Sequence, residues 1–150
     1  MANHNAKMIW TICLLLIQSQ AGFAYNGKFP GQGSYKDWKR ANAIFLKGQI
    51  EERKENKAKA LGLYELAIKE YDQDADFFLM ASMLYQDELH DYDKAEALMH
   101  KALELAPDDI QINMAWASLL SEEGKVPQAT AALKRAHELI EAAKSQVDNK

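Results

Sequence analysis

The chain repeats itself about every 34 residues, and no other property narrows its fold as far. Ala95, Met99 and Ala102 each stand 34 positions before Ala129, Leu133 and Ala136. A unit of that length is a helical hairpin that cannot bury its apolar stripe alone, so neighbouring hairpins stack to share a core. Strand signals are absent after residue 34. The expected class is all-α: a short right-handed superhelix of about three antiparallel helix hairpins with an extended C-terminal helix.

The first 24 residues stand outside that pattern. Lys7 precedes an apolar run from Met8 to Ile17, and a polar, small-residue stretch from Gln18 to Ala24 follows. This is the three-part layout of an export signal. Gly22 and Ala24 suit cleavage before Tyr25, and Ser19 with Ala21 would suit cleavage before Gly22; the later site is the expectation. The apolar run is about half of the roughly 20 residues a membrane span needs, so no stable span is expected once the leader is removed. Cys13 follows Ile12 rather than a small residue, which disfavours lipid attachment. It is also the only cysteine. The exported chain would therefore carry no disulfide, zinc-thiolate site or thiol nucleophile. Export to a periplasm is the first expectation, and secretion the second.

The formal net charge of −4 comes without a basic stripe. Nucleic-acid recognition depends on Lys and Arg neutralising phosphates, so that class is excluded and another protein or peptide is the expected partner. Residues 25–34 hold three glycines and a proline and read as a flexible lead-in. Ser34 is a suitable N-cap. Residues 35–150 then read as one helical repeat domain.

Three hairpins follow within it. The first pairs Lys36 to Glu55 with Lys57 to Tyr71, burying Trp38, Ala41, Ile44, Phe45 and Gly48 against Ala60, Tyr64, Ala67 and Ile68. Ala60, Tyr64 and Ala67 lie 35 positions, not 34, before their counterparts, so one extra residue falls either at Tyr71 to Asp76 or at Gln86 to Asp91. The second hairpin runs Phe77 to Leu89, then Asp93 to Leu105, where Pro107 stops it. The third spans Ile110 to Glu123, turns at Gly124 and restarts near Pro127, which suits a first helical position. Its last helix continues past Leu139, Ile140 and Ala143 and is expected to cap the open end of the stack.

These positions resemble the tetratricopeptide repeat family. The resemblance rests on the alanine opening each second helix (Ala60, Ala95, Ala129), the bulky residue four later, the alanine three further, Pro107, and the turn from His90 to Ala95. The aromatic, Leu-Gly and Tyr spacing of the family's first helices is not evident, and the turn Glu55-Asn56-Lys57 lacks the family's glycine. The resemblance implies a concave groove, lined by the first (A) helix of each hairpin, that takes a partner's peptide. Carried over by position, the groove is Phe77, Met80, Leu84 and Asp87, then Gln111, Met114, Ser118 and Ser121. A shift of one residue in the second A helix would replace the first four by Asp76, Leu79, Met83 and Gln86. Apolar residues at helical spacing also serve as core, which makes the polar members the better groove residues.

Two chemical alternatives are weaker. Met80, Met83, Met99 and Met114 with His90 and His100 would suit a soft metal, but adaptable methionine packing explains the same spacing. Catalysis has no visible constellation: no nucleophile–histidine–acid grouping, no Gly-rich phosphate loop and no metalloprotease motif. The reading is a non-enzymatic exported adaptor or assembly factor without a cofactor. The alternatives are a self-associating component of an envelope machine (pilus, secretion or cytochrome assembly, as the resemblance implies) joined through an apolar edge at Trp38, Ile44 and Phe45, and, more remotely, a methionine-based metal carrier.

Overall fold

The first helix of each hairpin starts where a short polar side chain satisfies a free backbone N–H of the first turn. In the computed structural model, which describes residues 27–148, the hydroxyl of Ser34 accepts from the Asp37 N–H at 3.3 Å and opens α1 (Tyr35–Arg53). Asp74 accepts from the Asp76 N–H and opens α3 (Ala75–Leu84), and Asp109 accepts from the Ile112 N–H and opens α5 (Ile110–Glu122). The partner helices are α2 (Lys57–Glu70), α4 (Tyr92–Leu105) and α6 (Val126–Asp148). Among the described residues there is no strand, so the chain is all-α. The expected leader, residues 1–24, lies outside the described part.

The contacts divide the described chain into two compact units, residues 27–105 and 106–148. In the first, α1 pairs with α2 and α3 pairs with α4, and α2 also packs on α3. Its centre is aromatic: Phe45 lies 5.0 Å from the Tyr64 ring and 4.7 Å from that of Phe77. In the second, α5 pairs with α6 around Ala117, Leu120, Ala129 and Ala132, with Trp116 and Leu133 at the margin.

Small residues set the distance between the two helices of a pair. A Cβ built on Gly48 would stand 2.6 Å from the Tyr64 ring, so glycine alone lets α2 approach α1 this closely. Ser82 holds the same place in the second hairpin and donates to the Ala95 carbonyl at 2.8 Å. Ala117 holds it in the third and is fully buried.

The segment read from its glycines as a lead-in is held at one point. Phe29 touches Tyr35, Trp38 and Tyr71, with ring centroids 5.5, 5.6 and 6.3 Å away, and the Tyr71 hydroxyl donates to the Gln32 carbonyl.

The extra residue of the first period has a definite place. Every A helix ends on a residue with left-handed backbone: Glu55 (φ 61°), His90 (φ 51°) and Gly124 (φ 76°). Each stands five positions before the alanine that opens the next helix. Counting back to the small residue, Gly48 and Ala117 lie seven positions before that turn, while Ser82 lies eight before it. Between Ser82 and His90 runs a π-helical turn, Tyr85–Leu89. A π turn absorbs one residue without breaking the helix. The insertion therefore sits at the end of the second A helix, the later of the two expected places.

Candidate partner-binding face of the A helices

Locating the insertion changes which residues share a face. Up to the π turn, α3 and α5 correspond with a step of 35, as their N-caps Asp74 and Asp109 already do. Gln111, Met114, Ser118 and Ser121 then match Asp76, Leu79, Met83 and Gln86. Burial follows this register: Phe77 and Ile112 are 0% and 1% exposed, Ser82 and Ala117 both 0%, and Met83 and Ser118 are both half-open. The expected set of Phe77, Met80 and Leu84 is corrected accordingly. These three are buried, with Phe77 packed on Phe45. Asp87 is exposed on the π turn.

The corrected register also uncovers the family spacing in the second A helix. Phe78, Ala81, Ser82 and Tyr85 stand where the repeat has its aromatic, Leu-Gly and Tyr positions. The left-handed turns at Glu55 and His90 do the work expected of glycine, as Gly124 does in the third hairpin. In the first hairpin the N–H groups of Glu55 and Asn56 donate to the Glu52 and Glu51 carbonyls.

One stripe then runs along each A helix. On α1 it is Asn42, Phe45 and Gln49; on α3, Asp76, Leu79 and Met83; on α5, Gln111, Met114 and Ser118. The middle residue is buried in each case, and its two neighbours are half-buried or exposed. The open positions carry carboxamides, a carboxylate, a hydroxyl and a thioether. Oδ1 of Asn42 is buried without a hydrogen-bond partner, an acceptor the fold leaves unmet. Ser121 and its counterpart Gln86 are buried.

Three tyrosine-centred contacts hold other polar groups of residues 27–105. Glu65 accepts from the Tyr85 hydroxyl, which pushes that phenol up to about 12, with burial adding to the shift. Lys94 sits 5.0 Å over the same ring. Burial, then the Glu52 carboxylate that its hydroxyl faces, pushes the Tyr64 phenol up as well. None of these groups pairs a nucleophile with a base. Among the described residues no three His, Asp or Glu side chains converge on a metal position. Met99 is fully enclosed, and the His90 ring faces the Gln86 carbonyl at 3.0 Å. No described helix is long and apolar enough to cross a membrane.

Stacked hairpins with alanine crossings, left-handed turns and this A-helix spacing define a tetratricopeptide-repeat fold. Comparison with solved structures agrees: the chain is similar to the TPR domain of Arabidopsis OM64, with a TM-score of 0.64 and 19% identity, over 69% of this chain and 84% of that one. No family model matches the sequence, and no curated protein matches it.

Proposed function

We propose that the chain is a non-enzymatic adaptor or assembly factor that captures another protein or peptide on its A-helix stripe. The fold supports a protein-interaction role, since stacked helical repeats present extended surfaces for partners. The observation that carries the reading is the recurrence, on each A helix taken by itself, of half-open or exposed residues (Asn42 and Gln49, Asp76 and Met83, Gln111 and Ser118) around a buried middle residue. Amide and hydroxyl groups at that spacing suit the backbone of a peptide, and Met83 supplies an adaptable apolar contact.

A photoreactive residue placed at Met83 or Ser118 tests this reading in the protein's native extract. A discrete adduct is expected from both sites, and none from exposed Lys101 on α4. Adducts from Lys101 alone, or equal adducts everywhere, would overturn the proposal.

Export is part of the same proposal and rests on residues 1–24, with the periplasm as the first compartment. Mass measurement of the protein recovered from that compartment tests it. Loss of residues 1–24 is expected, and recovery of the intact chain from the cytoplasm overturns it.

A further inference from the structure

The exposed apolar side chains of α1 fall on one face. Tyr35, Leu46 and Ile50 are 57%, 43% and 47% exposed. At 3.6 residues per turn their directions lie within about 60° of one another. Asn42, the first half-open residue of the α1 stripe, shares that face. Trp38 and Phe45, expected to form an apolar edge with Ile44, are buried instead.

The second hairpin shows what covers such a face. Met80 and Leu84, 34 positions after Leu46 and Ile50, are only 8% and 3% exposed. There the preceding helix, α2, packs on α3, and the Tyr85 hydroxyl reaches back to Glu65 of α2. The cover is the stretch of chain that comes just before. Among the described residues no helix precedes α1.

The chain that does precede α1 already rests on the top of its face. Phe29 packs on Tyr35 and Trp38, and the Tyr71 hydroxyl holds the Gln32 carbonyl just after it. Upstream of that anchor stand the leader's ten apolar-run residues, Met8 to Ile17, with no charged side chain among them. As a helix, such a run is about 15 Å long. Eleven residues, Gln18 to Lys28, join it to Phe29 and can extend to roughly 35 Å. The α1 face from Tyr35 to Ile50 measures about 22 Å. The tether therefore outreaches the face, and a link this short keeps the run near it at roughly millimolar effective concentration.

We infer that, until the leader is removed, its apolar run docks as a helix on the Tyr35, Leu46 and Ile50 face of α1 in the same chain. The docking extends upstream the contact that Phe29 begins, and it gives α1 the cover that α2 gives α3. It also covers Asn42, so removal of the leader bares the apolar face and one open position of the stripe together. That consequence, though not the docking, rests on the proposed export and partner capture.

Cys13, the only cysteine, lies inside the run and provides the probe. The intact 150-residue chain carrying Leu46→Cys is treated with a short bismaleimide. Two other single variants are treated alike: Lys101→Cys on α4, and Leu133→Cys, on an apolar groove between α5 and α6 that the long last helix leaves half-open. Circular dichroism confirms the fold of each. A cross-linked product with the mass of one chain is expected in high yield from Leu46→Cys and in low yield from the other two. Adding Ile50→Asp to Leu46→Cys is expected to bring its yield down to that of Lys101→Cys. Equal yields at all three positions, a yield highest at Leu133→Cys, or products of two chains only would overturn the inference. So would a yield that Ile50→Asp leaves unchanged. Removal of the leader is read separately from the mass of the exported protein, so a failed cross-link leaves export standing, and an uncut chain leaves the cross-link standing.

Discussion

The indole N–H of Trp38 donates to the carboxylate of Asp74 at 2.9 Å, joining the first turn of α1 to the residue that caps α3. Two structural roles thus meet in one buried carboxylate, 4% exposed. Replacing it by alanine removes a helix cap, typically about 1 kcal/mol, and leaves a buried indole N–H without an acceptor, about 1–3 kcal/mol more. Asp74→Ala is expected to lose about 2–4 kcal/mol in urea unfolding, with a red shift in tryptophan emission. Trp38→Phe, which leaves the cap intact, is expected to cost less than Asp74→Ala. Equal losses for the two would show that the shared carboxylate is not the link.

Gly48 sets two effects against each other. Glycine to alanine inside a helix ordinarily stabilises by about 1 kcal/mol. Here the new methyl would meet two Tyr64 ring atoms at 2.6 and 2.8 Å, on a ring already enclosed by Phe45. Overpacking of this kind typically costs about 1–3 kcal/mol, so Gly48→Ala is expected to destabilise. Adding Tyr64→Leu to Gly48→Ala makes room for the methyl, and the paired variant should lose less than the two single changes summed. Strict additivity in denaturant titrations would refute the contact.

Glu55 offers the opposite case. Its backbone is left-handed, its side chain is exposed, and its ion pair with Lys57 is 3.9 Å long. Such a surface pair contributes little, while left-handed backbone costs a non-glycine residue about 1–2 kcal/mol. Glu55→Gly is expected to raise the melting temperature by the equivalent of about 1 kcal/mol. A fall in melting temperature would show that the turn is held by something other than backbone conformation.

Alkaline pH should loosen the contact between α2 and the second A helix. Tyr85 keeps its proton up to about 12 in the fold, against about 10 when unfolded. The folded state therefore favours the protonated phenol, so this contribution is whole below pH 10 and is lost as pH rises towards 12. Tyr85→Phe is expected to cost about 0.5–1.5 kcal/mol at pH 7 and to flatten the fall in stability over that window. Identical alkaline profiles for variant and wild type would remove Tyr85 as a source.

The fold was legible in the sequence because alanine crossings and turns obey rigid spacing. Ala60, Ala95 and Ala129 mark the start of each second helix, and Ser34 sits at its expected cap. The candidate face was read one residue out of phase in the second hairpin. Counting back from Ala95 crosses the π turn, whereas counting forward from the caps Asp74 and Asp109 does not. The matched caps and the Phe78, Ala81, Ser82, Tyr85 spacing were signals that could have fixed the phase. The turn at His90 was legible from its spacing to Ala95, but the left-handed turn at Glu55 was not, because glutamate does not favour that conformation. Nor did composition reveal that Phe29 ties down a glycine-rich segment, since that contact depends on Tyr35, Trp38 and Tyr71 converging in space.

Residue counts on either side of the π turn separate a fixed length of the repeat from an adjustable one. From the opening alanine of one second helix to the next N-cap, Ala60 to Asp74 and Ala95 to Asp109, the chain counts 14 residues both times. From cap to opening alanine it counts 21 in the second hairpin and 20 in the third. The slack lies on the A-helix side, where the π turn takes up the extra residue within the helix itself. The joint works like a vernier: it turns Asp87 and its neighbours by a fraction of a helical turn relative to the rest of the second A helix.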